Sequence, residues 1–268
     1  MEPKLFYRIW PTDSLSPATI VALHGFLGDG LDFQPLIALT KAHFRWVTID
    51  LLGHGASDSP RELEFYDLNH QSSQLQTCIR ELQLGRFTLL GYSMGGRLAL
   101  QYAIRNPDFL EHLVLIGTSA GIACESARVE RKKQDAAWAN LIQEQGVAEF
   151  LSAWNQQPLI ATQQKYLSPS LYQELQKRRR QNNWAGIINS LLGFGVGVMP
   201  SCSEQLGSLE LPVTMFTGVE DKKFRAIAKE MLGKIKSARH IEIPDAGHAP
   251  HLENPSSLYS ALTAGRCI

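Results

Sequence analysis

The chain has 268 residues, 44% of them hydrophobic, so it can bury a sizeable core within one catalytic domain. Lys plus Arg and Asp plus Glu balance at 26 each, which leaves no global field to recruit nucleic acid or an anionic membrane; a small molecule is the expected partner. The opening Met1-Glu2-Pro3-Lys4 has no signal-peptide character, no apolar run reaches membrane-spanning length, and Cys78, Cys124, Cys202 and Cys267 stand apart without a CxxC spacing. These features predict a cytoplasmic monomer with reduced thiols, no membrane insertion and no metal cluster.

Short β-branched or apolar runs predict strands at 5–9, 20–23 and 46–50, with a helical pattern over 32–42 between the second and third. A helix over 68–82 leads to a strand at 87–90, a helix at 94–105 and a strand at 113–116. The rhythm then breaks. Residues 120–205, rich in Gln, Arg, Lys and Trp, read as successive helices inserted between two sheet strands, a cap over an α/β core made of 1–119 and 206–268. Strands at 213–217 and 240–243, a helix at 224–232 and a last helix after Pro255 complete a mostly parallel sheet covered on both faces.

The strand at 87–90 runs into Gly91-Tyr92-Ser93-Met94-Gly95-Gly96, a G-x-S-x-G motif from which a helix departs. A serine on so tight a turn projects its hydroxyl above the sheet, and its flanking positions must be small because a Cβ would clash. A serine hydroxyl needs an imidazole to take its proton and a carboxylate to fix that imidazole's tautomer. Asp221, after the strand at 213–217, and His248, after the last strand, stand in the chain order serine, acid, histidine. Glu220 and His251 compete for the same two roles. The turn His24-Gly25-Phe26 follows the strand at 20–23, where the Phe26 N–H can join the Met94 N–H as an oxyanion donor. His24 and His54, the latter in Asp50-Leu51-Leu52-Gly53-His54-Gly55, read as buried braces of their loops.

This combination resembles the α/β-hydrolase superfamily, whose members include esterases, lactonases, C–C hydrolases, lyases and receptors, so the fold leaves the reaction open. A carboxylester, lactone or C–C hydrolase and a non-catalytic binding protein are the competing classes. Arg97, four residues beyond Ser93 on the same helix face, and a cap with nine Lys or Arg against seven Asp or Glu suggest carboxylate recognition. Arg128 and Arg131 stand three apart, and Lys132, Lys133, Lys177 and Arg178 read as solvated. The segments Gly91 to Arg97, Glu130-Arg131, Trp154 to Pro158, Arg180 to Asn183, Asp221 to Arg225 and Ala246 to Pro255 resemble the 2-succinyl-6-hydroxy-2,4-cyclohexadiene-1-carboxylate synthases of menaquinone and phylloquinone biosynthesis. That resemblance implies Ser93, Asp221 and His248 as a triad. It also implies a pocket lined by Tyr92, Arg97, Arg131, Trp154 and Arg180, a tricarboxylate substrate, and no cofactor or metal. Two features depart from the family pattern: Leu52 replaces a frequent proline, and the tail Gly265 to Ile268 is short.

Overall fold

A computed structural model describes residues 2–15 and 17–264; the tail departure and Cys267 lie outside the described residues. Seven strands form one sheet: β1 (Tyr7–Ile9), β2 (Ala18–Leu23), β3 (Phe44–Ile49), β4 (Phe87–Tyr92), β5 (Leu110–Ile116), β6 (Val213–Gly218) and β7 (Ala238–Ile243). Their spatial order is β1-β3-β2-β4-β5-β6-β7, all parallel except β1 against β3. The chain steps outward from β2 to β3 and then returns to place β4 on the other side of β2. Loops leaving β2 and β4 therefore diverge, opening a crevice at the carboxyl ends of those strands.

Side-chain alternation along each strand feeds two separate cores. Val21, Leu23, Leu89, Leu113 and Met215 pack with α2 (Leu68–Glu81), α3 (Met94–Arg105) and α8 (Lys222–Leu232). Ile20, Ala22, Leu90, Val114 and Phe216 pack with α1 (Gln34–Thr40), α9 (Pro250–Glu253) and α10 (Pro255–Ala264) on the other face. The helix expected over 32–42 is shorter than its pattern, because Asp29 accepts the Leu31 N–H and opens a single 3-10 turn, Gly30–Phe33, ahead of α1.

Between β5 and β6 the chain forms α4 (Glu125–Asn155, bent at Gly146), α5 (Pro158–Tyr166), α6 (Pro169–Gln181) and α7 (Trp184–Phe194). The bend is a glycine at φ 86°, a left-handed conformation that glycine adopts without a Cβ penalty. These helices share their own apolar cluster, built from Ile142, Phe150, Leu151 and Ile187 with Trp138, Trp154 and Trp184 against it, and Phe26 and Leu27 join it from the β2 loop.

Polar contacts dock the insert onto the same loop. Arg178 pairs with Asp29 and, at 2.8 Å, with Asp32, and its side chain is only 12% exposed. The expected solvated role of Arg178 is therefore corrected: the acidic turn after β2 lies directly beneath α6 and takes up its charge. Burial raises the Asp32 carboxyl above its ordinary value, against the pull of Arg178. Asn182 Nδ2 donates to Leu27 O at 3.1 Å. At Gly53 a Cβ would lie 2.7 Å from the Gly186 carbonyl, so α7 rests backbone to backbone on the turn that carries His54. Among the described residues no helix is long and apolar enough to cross a membrane.

Candidate active site

β4 ends at Tyr92 and α3 begins at Met94, which leaves Ser93 alone at φ 50° and ψ −106°. A non-glycine residue held there costs on the order of 1–3 kcal/mol. Surrounding bonds dictate the conformation: Ser93 N donates to Ile116 O at 2.9 Å, Thr118 Oγ1 donates to Ser93 O at 2.7 Å, and Gly95 N donates to His24 O at 3.0 Å. A Cβ on Gly95 would sit 2.4 Å from Leu23 O, and one on Gly91 2.5 Å from Gly96 Cα. The glycines of the motif are thus required by the approach of α3 to β2 and β4.

His248 Nε2 lies 3.0 Å from Ser93 Oγ, and His248 Nδ1 lies 2.7 Å from Asp221 Oδ2. A carboxylate only accepts, so Nδ1 carries the proton and Nε2 is free to accept from the serine hydroxyl. The second Asp221 oxygen accepts the Phe224 N–H at 3.0 Å and caps α8. Both Asp221 and His248 are buried, and the imidazole is flanked by the rings of Tyr92 at 5.3 Å and Phe224 at 4.6 Å.

The competitors are placed elsewhere. Glu220 turns outward to Lys165 and Tyr166 at the end of α5. His251 is fully buried between Phe33 and Tyr92 with no hydrogen-bond partner for either ring nitrogen among the described residues, and burial pushes it down to about 3. His24 is a brace: its Nδ1–H donates to Gly25 O at 2.7 Å, and its Nε2 accepts the Leu51 N–H at 2.8 Å. His54 is equally buried beside it, 5.2 Å between ring centroids, and burial brings it to about 3.

A cavity of about 120 Å³ opens over Ser93. Phe26, Met94, Tyr92, Arg97, Arg131, Trp154 and His248 all contribute to its wall. The Phe26 and Met94 amides come from the two diverging loops, and neither donates to a protein acceptor among the described residues. Trp154 reaches Phe26 edge to face at 5.2 Å, so the cap packs directly on the loop after β2. Burial raises the Tyr92 phenol well above its ordinary value and keeps it neutral.

Arg97 has its guanidinium 5.4 Å from the Phe194 ring centroid, and burial followed by the charge of Arg131 lowers it to about 10. Arg131 Nε donates to Asp135 Oδ1 at 2.8 Å. The third expected arginine is not in the cavity wall. Arg180 is exposed, with its carbonyl accepting from Trp184 Nε1. Each residue turns an α-helix by about 100°, so one run of arginines on α6 faces three ways. Arg178 meets the acidic turn and Arg180 faces solvent. Arg179 is buried on Asn155 at 3.2 Å and Gln163 at 2.8 Å.

Asp135 and Lys223 line the cavity and were not singled out by sequence reading. Their signals were slight: Asp135 stands at i+4 from Arg131 on one helix, and Lys223 two positions after Asp221. Among the described residues no group of three His, Cys, Asp or Glu is arranged to hold a metal ion.

The family model described as alpha/beta hydrolase fold matches residues 18–255. A Salmonella paratyphi B protein named 2-succinyl-6-hydroxy-2,4-cyclohexadiene-1-carboxylate synthase is 34% identical over 244 residues, covering 91% of this chain and 92% of its own. The chain belongs to that synthase family, within the α/β-hydrolase fold. Among solved structures, MenH from S. aureus superposes with a TM-score of 0.90 at 28% identity, covering 96% of each chain. The enol-lactonase from Burkholderia xenovorans LB400 superposes at 0.78 with 21% identity, covering 98% of this chain and 96% of its own, a likeness of fold alone. A likeness to the synthases that spans nine-tenths of the chain includes the cap as well as the core.

Proposed function

We propose that this chain is a carbon–oxygen lyase that eliminates pyruvate from 2-succinyl-5-enolpyruvyl-6-hydroxy-3-cyclohexene-1-carboxylate to give 2-succinyl-6-hydroxy-2,4-cyclohexadiene-1-carboxylate. It acts as a cytoplasmic monomer on the route to menaquinone or phylloquinone. One observation carries the reading beyond family membership: a serine, histidine and aspartate in hydrogen-bonded series lie under a cavity whose wall holds Arg97 and Arg131. A neutral ester needs no such cations, whereas a substrate bearing three carboxylates does.

The chemistry follows from the charges. The ring proton to be removed is α to the succinyl ketone. His248 Nε2 takes the Ser93 proton as Ser93 Oγ takes the ring proton, and Asp221 stabilises the resulting imidazolium. The carbanion electrons move onto the ketone oxygen, where the Phe26 and Met94 N–H groups receive the negative charge. They then return through the ring double bond and expel enolpyruvate, which takes a proton and becomes pyruvate. Ser93 is never bonded to carbon, and the proton stored on the relay is available to the departing group.

The test is release of pyruvate in equal amount to the cyclohexadiene, followed with lactate dehydrogenase, together with rapid-quench mass spectrometry of the protein. No adduct on Ser93 is expected during turnover. An acyl-enzyme that forms and decays at the turnover rate would replace the lyase by a hydrolase.

A further inference from the structure

Arg131, Lys223, Ser119, Val196 and Phe224 line not only the cavity over Ser93 but also a second cavity of about 230 Å³. The two spaces are therefore adjacent, and the boundary they share, the neck, carries a cation from the cap and a cation from the first turn of α8. Beyond the neck the wall is mixed: Ile122, Leu206, Ile227 and Met231 are apolar, and Ser203, Glu230 and Lys234 are polar.

Charge at the neck is not balanced. Arg131 uses its Nε on Asp135, and its terminal nitrogens make no ion pair among the described residues. Lys223 likewise has none; its ammonium sits 5.4 Å from the Phe224 ring centroid. The nearby Asp221 carboxylate is committed to His248 and to the Phe224 amide. Arg97 adds a third cation with no carboxylate of its own, so the wall of the first cavity holds three positive groups and one carboxylate, Asp135, while Glu230 and Lys234 offset each other in the second. Like charges gathered around a cavity repel, and an anion placed between them removes that repulsion. The N-terminal end of α8 adds a positive potential on the Lys223 side.

We propose that Lys223, with Arg131, forms a subsite at this neck for the terminal carboxylate of the substrate's succinyl arm. The inference rests on the reading of the chain as the pyruvate-eliminating lyase. It deepens that reading by naming a lysine for a role that the sequence had led us to expect of Arg180. With the ketone oxygen at the Phe26 and Met94 amides, the succinyl chain leaves the ketone carbon on the side away from the ring. Two methylenes separate its carboxylate from the ketone, the longest reach of the three carboxylates from the reacting centre. Lys223 is a specificity residue: it touches a part of the substrate that does not react.

The experiment crosses an enzyme change with a substrate change. Lys223→Gln keeps polarity and most of the length on an exposed helical position and removes the charge. With the full substrate its KM is expected to rise about 10-fold or more, with kcat within about threefold of the parent, as for loss of one charge-assisted hydrogen bond. With an analogue whose succinyl carboxylate is replaced by a carboxamide, parent and variant should have the same kcat/KM. Equal penalties on both substrates, or no penalty on either, would overturn the subsite. So would a penalty that vanishes only when a different carboxylate is amidated. A binding arm separates this from the activity itself. Calorimetry with 4-oxo-4-phenylbutanoate should show weaker binding to Lys223→Gln than to the parent, with no difference for the corresponding amide. A parent that discriminates these probes yet releases no pyruvate would defeat the lyase reading and leave the subsite standing.

Discussion

Arg97→Met separates what the cavity does for the substrate from what it does to the fold. Burial and the neighbouring Arg131 hold the Arg97 guanidinium near 10 against an ordinary value of 12.5. It is still charged at neutral pH, and keeping it so costs the folded chain about 3 kcal/mol. Methionine fills much of the same volume and can rest on Phe194, but forfeits the contact of the guanidinium with that ring, about 1 kcal/mol. The variant should therefore be more stable than the parent by about 1–2 kcal/mol, a rise of several degrees in Tm for a chain of this size. Activity should move the other way. Loss of a buried partner for a substrate carboxylate is expected to lower kcat/KM by about 2–5 kcal/mol, some 30-fold to several thousand-fold. Thermal unfolding and the pyruvate-release assay on the same preparation check both halves. A less stable variant with undiminished kcat/KM would refute the argument that Arg97 is a cation held without a counter-ion for the substrate to supply.

Ser93→Ala and His248→Ala should each lower turnover by several decades, and the double variant should lose little more than either single, because the two act as one relay; additive losses in pre-steady-state rates would contradict this. Arg178→Ala leaves Asp29 and Asp32 without their cation under the cap and should destabilise the chain by about 3–5 kcal/mol in urea titrations, whereas the exposed Arg180→Ala should stay within about 0.5 kcal/mol. His251 and His54 are both held near 3 by burial, against 6.5 when exposed. Between those values the unfolded chain binds protons that the folded chain does not, so stability falls as pH drops through that window. His251→Phe removes one such proton and should be favoured over the parent by about 2–3 kcal/mol more at pH 4.5 than at pH 7; an unchanged pH slope of urea stability would show that His251 does not stay neutral.

Local regularities in the sequence determined a good deal. Strand runs were legible because alternating side chains must supply two cores at once, as Val21 and Ile20 do on opposite faces of β2. The turn at Ser93 was legible because only glycine fits where α3 touches β2 and β4, and that requirement is written at fixed spacing. Chain order pointed to Asp221 and His248, with Glu220 and His251 left as nearby rivals that position alone could not remove. Glu220 and Asp221 are adjacent, and only the start of α8, which Asp221 caps, turns one carboxylate inward and sends the other to Lys165. The arginines show the same limit more sharply. Arg178, Arg179 and Arg180 carry identical chemistry in sequence, and their fates differ because α6 docks at one rotation about its axis. That rotation follows from contacts made far away in the chain, with Asp29, Asp32 and Leu27 under the cap. Lys223 and Asp135 enter the cavity wall for the same reason: residues nearly 90 positions apart meet only where the helical insert lies over the sheet, and no periodicity within either segment encodes that meeting.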